Sequence, residues 1–157
     1  MNLVIALDCE MVGSGNRSIL AKVSVVDEDG RALLNCFVKP TDTVTDYRSS
    51  VHRITARDLE DGESFDNVQR KVAELLKGRI LVGHSLDFDL GVLNLPHPEH
   101  NKRDFAKTRM FMQNGLPRSL KDLAREHLNK NIQEGHHDSL EDARTCMELY
   151  KKFDKYW

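Results

Sequence analysis

An α/β fold with a mixed sheet is predicted by the order of elements in this 157-residue chain. Two observations predict it. The first thirty-eight residues carry three apolar, strand-like runs, and Asp27-Glu28-Asp29-Gly30, a hairpin-turn signal, divides the last two. From Phe65 onward the apolar spacing becomes helical, with one short strand, Arg79-Ile80-Leu81-Val82, set between helices.

Residues 2–8 read as the first strand, with Gly13 and Gly15 in the loop that follows. Residues 19–26 and 32–38 complete a three-stranded antiparallel unit. Pro40 opens an irregular stretch that runs to about residue 63. Phe65, Val68, Val72, Leu75 and Leu76 recur at three and four, the mark of an amphipathic helix, and Gly78 stops it. Gly83 ends the strand at 79–82. A helix from about Asp87 to Asn94 is closed by Pro96 and Pro98. Residues 99–118 are polar and mark only a faint fifth strand near Lys102–Phe105. Ser119 can cap a helix carrying Leu120, Leu123, Ala124 and Leu128. The last helix spans about Ser139 to Phe153, with Leu140, Ala143, Met147 and Tyr150 on one side. The sum is a mixed five-stranded sheet flanked by helices, a ribonuclease-H-like layout, in a single domain over residues 1–157.

Composition narrows the class. Hydrophobic residues make up 39% and charged residues 31%, as in a soluble globular protein. No apolar run approaches the ~20 residues of a membrane span. The N-terminal apolar run lacks a basic start and ends in two acids, so it is not a signal peptide. Cys9, Cys36 and Cys146 form no CxxC pair and read as reduced thiols of an intracellular protein. Net charge is −2, whereas domains that bind nucleic acid are usually basic. Cations held in an acidic site can reverse that local balance.

Asp8 and Glu10 follow the apolar run Leu3–Leu7 and project from one face of a strand, with Cys9 turned to the other. Like charges beside an apolar flank are costly, and divalent cations such as Mg²⁺ or Mn²⁺ remove that cost. A second acid, Asp89, follows a buried strand at the start of a helix. Asp87 competes with it, but an N-cap role explains Asp87 better. A third segment, His136-His137-Asp138-Ser139-Leu140-Glu141-Asp142, places Asp142 at another helix start, with His137 five residues earlier in the entering loop. The plain alternative for Asp142 is a capping box with Ser139, and Glu141 is expected to face solvent. Taken jointly, four carboxylates gathered at one spot call for metal. Two ions about 3.5–4 Å apart suit phosphodiester hydrolysis. Histidine, with a pKa near 6.5, suits proton removal from the attacking water.

Asp8-Cys9-Glu10-Met11-Val12-Gly13, Leu81-Val82-Gly83-His84 leading to Asp89, and His137 with Asp142 together resemble the three motifs of the DEDDh 3′→5′ exonucleases. The strings at 44–51, 75–84 and 139–150 are most similar to the branch holding the interferon-stimulated exonuclease, the apoptosis-enhancing nuclease and the Rex-type RNA exonucleases. The resemblance implies Asp8, Glu10, Asp89 and Asp142 as metal ligands and His137 as general base. It implies Met11 against the terminal nucleotide and Arg48 on the nucleotide or its phosphate. For Met11 the alternative is core packing, and for Arg48 a surface salt bridge. His84 is expected to order its loop. Phe88 and the 105–118 segment depart from the branch, which leaves substrate preference open. The basic tails that direct relatives to the nucleus or nucleolus have no counterpart here, as expected of a catalytic domain alone.

The expected activity is metal-dependent 3′→5′ hydrolysis of single-stranded RNA to nucleoside 5′-monophosphates, with two Mg²⁺ or Mn²⁺ ions. The alternatives are a DNA-preferring exonuclease and a non-catalytic RNA-binding module. Arg48, Arg53, Lys102, Arg103, Lys107 and Arg109 are candidates to follow a phosphate backbone, with a solvated face as the alternative.

Overall fold

The structure, a computed structural model, describes residues 3–157. The expected start of the first strand at residue 2 lies outside them. β1 (Val4–Ser14), β2 (Arg17–Val26) and β3 (Ala32–Phe37) form an antiparallel unit. β4 (Ile80–Gly83) and β5 (Lys102–Asp104) add in parallel on the other side of β1, giving the order β3-β2-β1-β4-β5. The helices are α1 (Ser49–His52), α2 (Ala56–Glu60), α3 (Phe65–Leu76), α4 (Leu86–Leu93), α5 (Leu120–Leu128) and α6 (Ser139–Phe153). Among the described residues no helix is long and apolar enough to cross a membrane.

The alternation of β1 sorts the helices into two layers. Val4 and Ala6 pack with Phe105, Phe111, Leu123, Met147 and Leu149, beneath α5 and α6. Ile5, Leu7 and Cys9 pack with Val68, Val72, Leu86, Leu90 and Leu93, beneath α3 and α4. Removing a wholly buried side chain such as Leu7 costs about 2–5 kcal/mol.

Five expectations change. β1 runs on to Ser14, so Asp8 and Glu10 lie mid-strand, and Gly13 is a strand residue bonded to Thr45 and Asp46. The stretch from Pro40 to residue 63 holds α1 and α2; Thr55 and Asp58 cap α2 reciprocally, a signal obscured by the brevity of that helix. Asp87 is not an N-cap: α4 begins after Ser85, and the exposed Asp87 pairs with Lys102 and Lys107. Asp138, not Ser139, caps α6, while the Ser139 hydroxyl meets Ser24 at 2.7 Å. Glu141 is half-buried rather than solvent-facing, because its carboxylate accepts the Gln133 N–H.

Two features shape the end of the sheet. A bulge follows Glu10, which pairs with Lys22 while Met11 pairs with Leu20, leaving Ala21 over. Along β1, β4 pairs with Val4–Ala6 and then stops. A Cβ at its last residue, Gly83, would lie 2.4 Å from Leu86 Cδ2 and 3.1 Å from the Leu7 carbonyl oxygen. Only glycine lets α4 turn back so closely over the strand.

Candidate active site

Asp8 and Glu10 share the β1 face that α6 covers, and α6 brings Asp142 to them from its first turn. One carboxylate oxygen from each of the three lies within 4.8 Å of the others. Burial first, then the neighbouring acids Asp89, Asp142 and Glu10, push Asp8 well above the usual carboxylate range. Burial raises Glu10 to about 7, with Asp142 adding to the rise and Lys22 opposing it. Burial raises Asp142 to about 7, opposed by the Gln133 hydrogen bond. Asp142 Oδ1 is buried with no hydrogen-bond partner.

Asp89 arrives from the opposite layer. Because β4 has ended, the β1 edge beside Cys9 is open, and Cys9 N–H donates to Asp89 Oδ1 at 2.9 Å. Asp89 is 4% exposed, and burial raises it to about 8. Its charge reaches Asp8, although it stands outside the three-acid group. Its helix is held by Asp104, whose carboxylate accepts from Ser85 N, Leu86 N and Ala106 N at 2.8–2.9 Å.

His137 lines a cavity of about 260 Å³ with Asp8, Glu10 and Asp142. Its backbone N–H donates to the Val51 carbonyl at 2.7 Å, which ties its loop to α1. Burial, then His52 and Lys121, lower its pKa, so the ring is neutral at neutral pH and free to accept a proton. His136 lines the adjoining cavity, with Glu10, Lys22, His52 and His137. The ring of His52 is locked: Nδ1 accepts from Ile54 N–H at 3.2 Å, so Nε2 donates to the Met11 carbonyl at 3.0 Å.

Met11 is half-buried against the apolar cluster beneath α3 and α4. Arg48 sits in the left-handed region at φ 52°, its N–H on Asp46 Oδ1, and its guanidinium approaches Gly13. Both therefore flank the same stretch of β1. His84 orders its loop as expected, through Nε2 on the Arg118 carbonyl at 2.7 Å. Of the basic residues expected along a backbone path, Lys102 and Lys107 are paired with acids. Gln133, His52, Lys22 and Asp104 escape sequence reasoning; only Lys22 leaves a trace, as a polar residue inside an apolar strand run.

The donor set fits divalent cations. It is all carboxylate oxygen, partly desolvated, and includes a buried carboxylate oxygen without a donor. Hard ions such as Mg²⁺ and Mn²⁺ take such ligands.

Residues 5–150 match the exonuclease family RNase_T. The chain is similar to RNA exonuclease 4 of Mus musculus, 45% identical over 159 residues, which are 98% of this chain and 37% of that protein. It is equally similar to RNA exonuclease 4 of Candida glabrata, 45% identical over 161 residues, covering 96% of this chain and 61% of the relative. The chain thus spans less than two thirds of the length of these relatives. Among solved structures, the Neurospora crassa Pan2 catalytic unit superposes with a TM-score of 0.88 at 29% identity, over 98% of this chain and 27% of that one. The Saccharomyces cerevisiae Pan2 exonuclease module in complex with A7 RNA gives 0.85 at 32%, over 98% and 28%. The fold is ribonuclease-H-like, as the order of strands and helices predicts.

Proposed function

We propose that this chain, which belongs to the RNase_T exonuclease family and to its DEDDh group, is a single-domain 3′→5′ exoribonuclease acting on single-stranded RNA ends. The observation that carries the reading is the convergence of Asp8, Glu10 and Asp142 oxygens within 4.8 Å of one another. The family is divalent-metal dependent. Here Asp8, Glu10, Asp89 and Asp142 would hold two ions, Mg²⁺ or Mn²⁺. When bound, such ions supply Lewis-acid charge at the scissile phosphate and make water more acidic.

The chain's own residues do the rest. Met11 lies against the terminal base, a soft side chain suited to an aromatic face. Arg48, held beside Gly13, contacts the terminal nucleotide or its phosphate. His137, neutral at neutral pH, takes the proton from the attacking water at a ring nitrogen. The water oxygen bonds to phosphorus, the bond to the 3′-oxygen breaks, and that oxygen leaves on the shortened strand. The product is a nucleoside 5′-monophosphate. The names of the relatives and the RNA complexes of the Pan2 module support RNA over DNA. A nuclear place of work follows from the sequence resemblance and is checked by imaging the tagged full-length protein.

Matched 5′-labelled RNA and DNA strands in Mn²⁺ test the reading. A shortening ladder from RNA, abolished by EDTA, is expected. A retarded but intact band would mean a binding module. Faster loss of the DNA strand would reassign the substrate.

A further inference from the structure

We propose that Gln133 is a positioning residue for the Asp142 carboxylate: it occupies one oxygen with a neutral hydrogen bond and so presents the other to a cation. The inference rests on the metal reading above and adds the residue that aims one of its ligands.

Gln133 Nε2 donates to Asp142 Oδ2 at 3.0 Å, and Asp142 Oδ1 has no partner although it is buried. The two oxygens of one carboxylate are thus in different states. An amide suits the task because its NH₂ face donates without adding charge. A lysine or arginine there would pair with the acid and compete with the ion.

Gln133 is itself held at its backbone. Ile132, next to it, is 1% exposed and anchored in the core beneath α5 and α6. Its own N–H donates to Glu141 Oε1 at 3.2 Å, one residue before Asp142 on α6. Its backbone lies at φ 57°, in the left-handed region that L side chains rarely adopt. Strain of this kind clusters at sites where a side chain must be aimed. The side chain lines the same cavity as Asp8, Glu10, His137 and Asp142. Partners that orient ligating carboxylates are commonly worth about 10–100-fold in metal affinity.

The test is calorimetric titration of the metal-free protein with Mn²⁺ alone, for wild type, Gln133→Met and Gln133→Gly. Methionine keeps the length and loses the donor. Glycine loses the side chain and relieves the backbone at φ 57°. Both variants are expected to bind Mn²⁺ about 10–100-fold more weakly. Gln133→Gly sets relief of the left-handed backbone against loss of the donor, and cooperative metal-free melting of both variants shows that they fold, which separates aiming from folding. Wild-type affinity in either folded variant overturns the role of Gln133 and leaves the metal site standing. Absence of Mn²⁺ binding in wild type overturns the site itself, and this inference with it.

Discussion

Two buried aspartates at the same end of the sheet make opposite use of burial. Asp104 is 6% exposed and has three backbone N–H donors, from Ser85, Leu86 and Ala106. Asp142 is 3% exposed and has one side-chain donor, with an oxygen left unpartnered and two more acids close by. A buried carboxylate without compensation is strongly disfavoured. Asp104 finds that compensation inside the protein and fixes the start of α4. Asp142 is left short of it, and under the proposed reading a cation would make up that deficit. Hydrogen-bond satisfaction, rather than burial, separates the structural acid from the acid of the site. Asp89, with a single N–H donor from Cys9, falls with Asp142 on this scale.

The sharpest way to break this contrast is to neutralise each acid in turn. Asp8→Asn and Asp142→Asn should abolish release of nucleotide from a labelled RNA. They should also raise the Tm of the EDTA-treated protein, because repulsion is relieved; about 2–4 °C is expected per kcal/mol in a protein of this size. Asp104→Asn should do the reverse and lower Tm, since an amide puts a donor against backbone N–H groups, at about 1–3 kcal/mol. Equal signs for the two classes would erase the distinction.

His137→Ala comes next, with turnover slowed roughly 10²–10⁴-fold and the Mn²⁺-induced rise in Tm retained. If His136→Ala produced that loss instead, the assignment of the base would move by one residue. Mn²⁺ itself should stabilise wild type by about 2.7 kcal/mol at a hundred times its Kd, and Asp104→Asn should keep that response. A melting curve indifferent to the ion would sink the site.

The smallest effect is the pH dependence of the metal-free protein. Glu10 and Asp142 are raised to about 7, and Asp89 to about 8. The native state therefore holds protons that the unfolded chain has released, so stability falls as pH rises. Tm should decline from about pH 4, where unfolded carboxylates ionise, to about 7–8, and saturating Mn²⁺ should flatten the decline. A rise over that window would contradict the raised values.

Asp8, Glu10, Asp89 and Asp142 are legible in the sequence as candidate acids because each follows an apolar run or opens a helix, and the structure gathers three of them, with Asp89 at the neighbouring strand edge. The helical spacing of α3 is legible for the same reason, whereas the sorting of the helices into two layers is a long-range property that the structure supplies. Gln133 is not, because its role needs a left-handed backbone and a bond to a helix that begins six residues later. Asp104 is not, because nothing within Lys102–Phe105 announces that Ser85 and Leu86 will turn their N–H groups toward it. The length of β1 is misread at Gly13, which looks like a loop residue until Thr45 and Asp46 pair with it. The start of α4 is misread for the same reason: its cap comes from another strand.

The brevity of β4 has a geometric consequence. Helices above and below a sheet ordinarily cannot touch, because a full layer of backbone separates them. Here the missing neighbour beyond Gly83 leaves a gap in that wall, and Asp89 from one storey reaches the strand that carries the acids of the other. Two extra residues in β4 would brick up the opening, leaving each half of the acid set intact and out of reach of its complement.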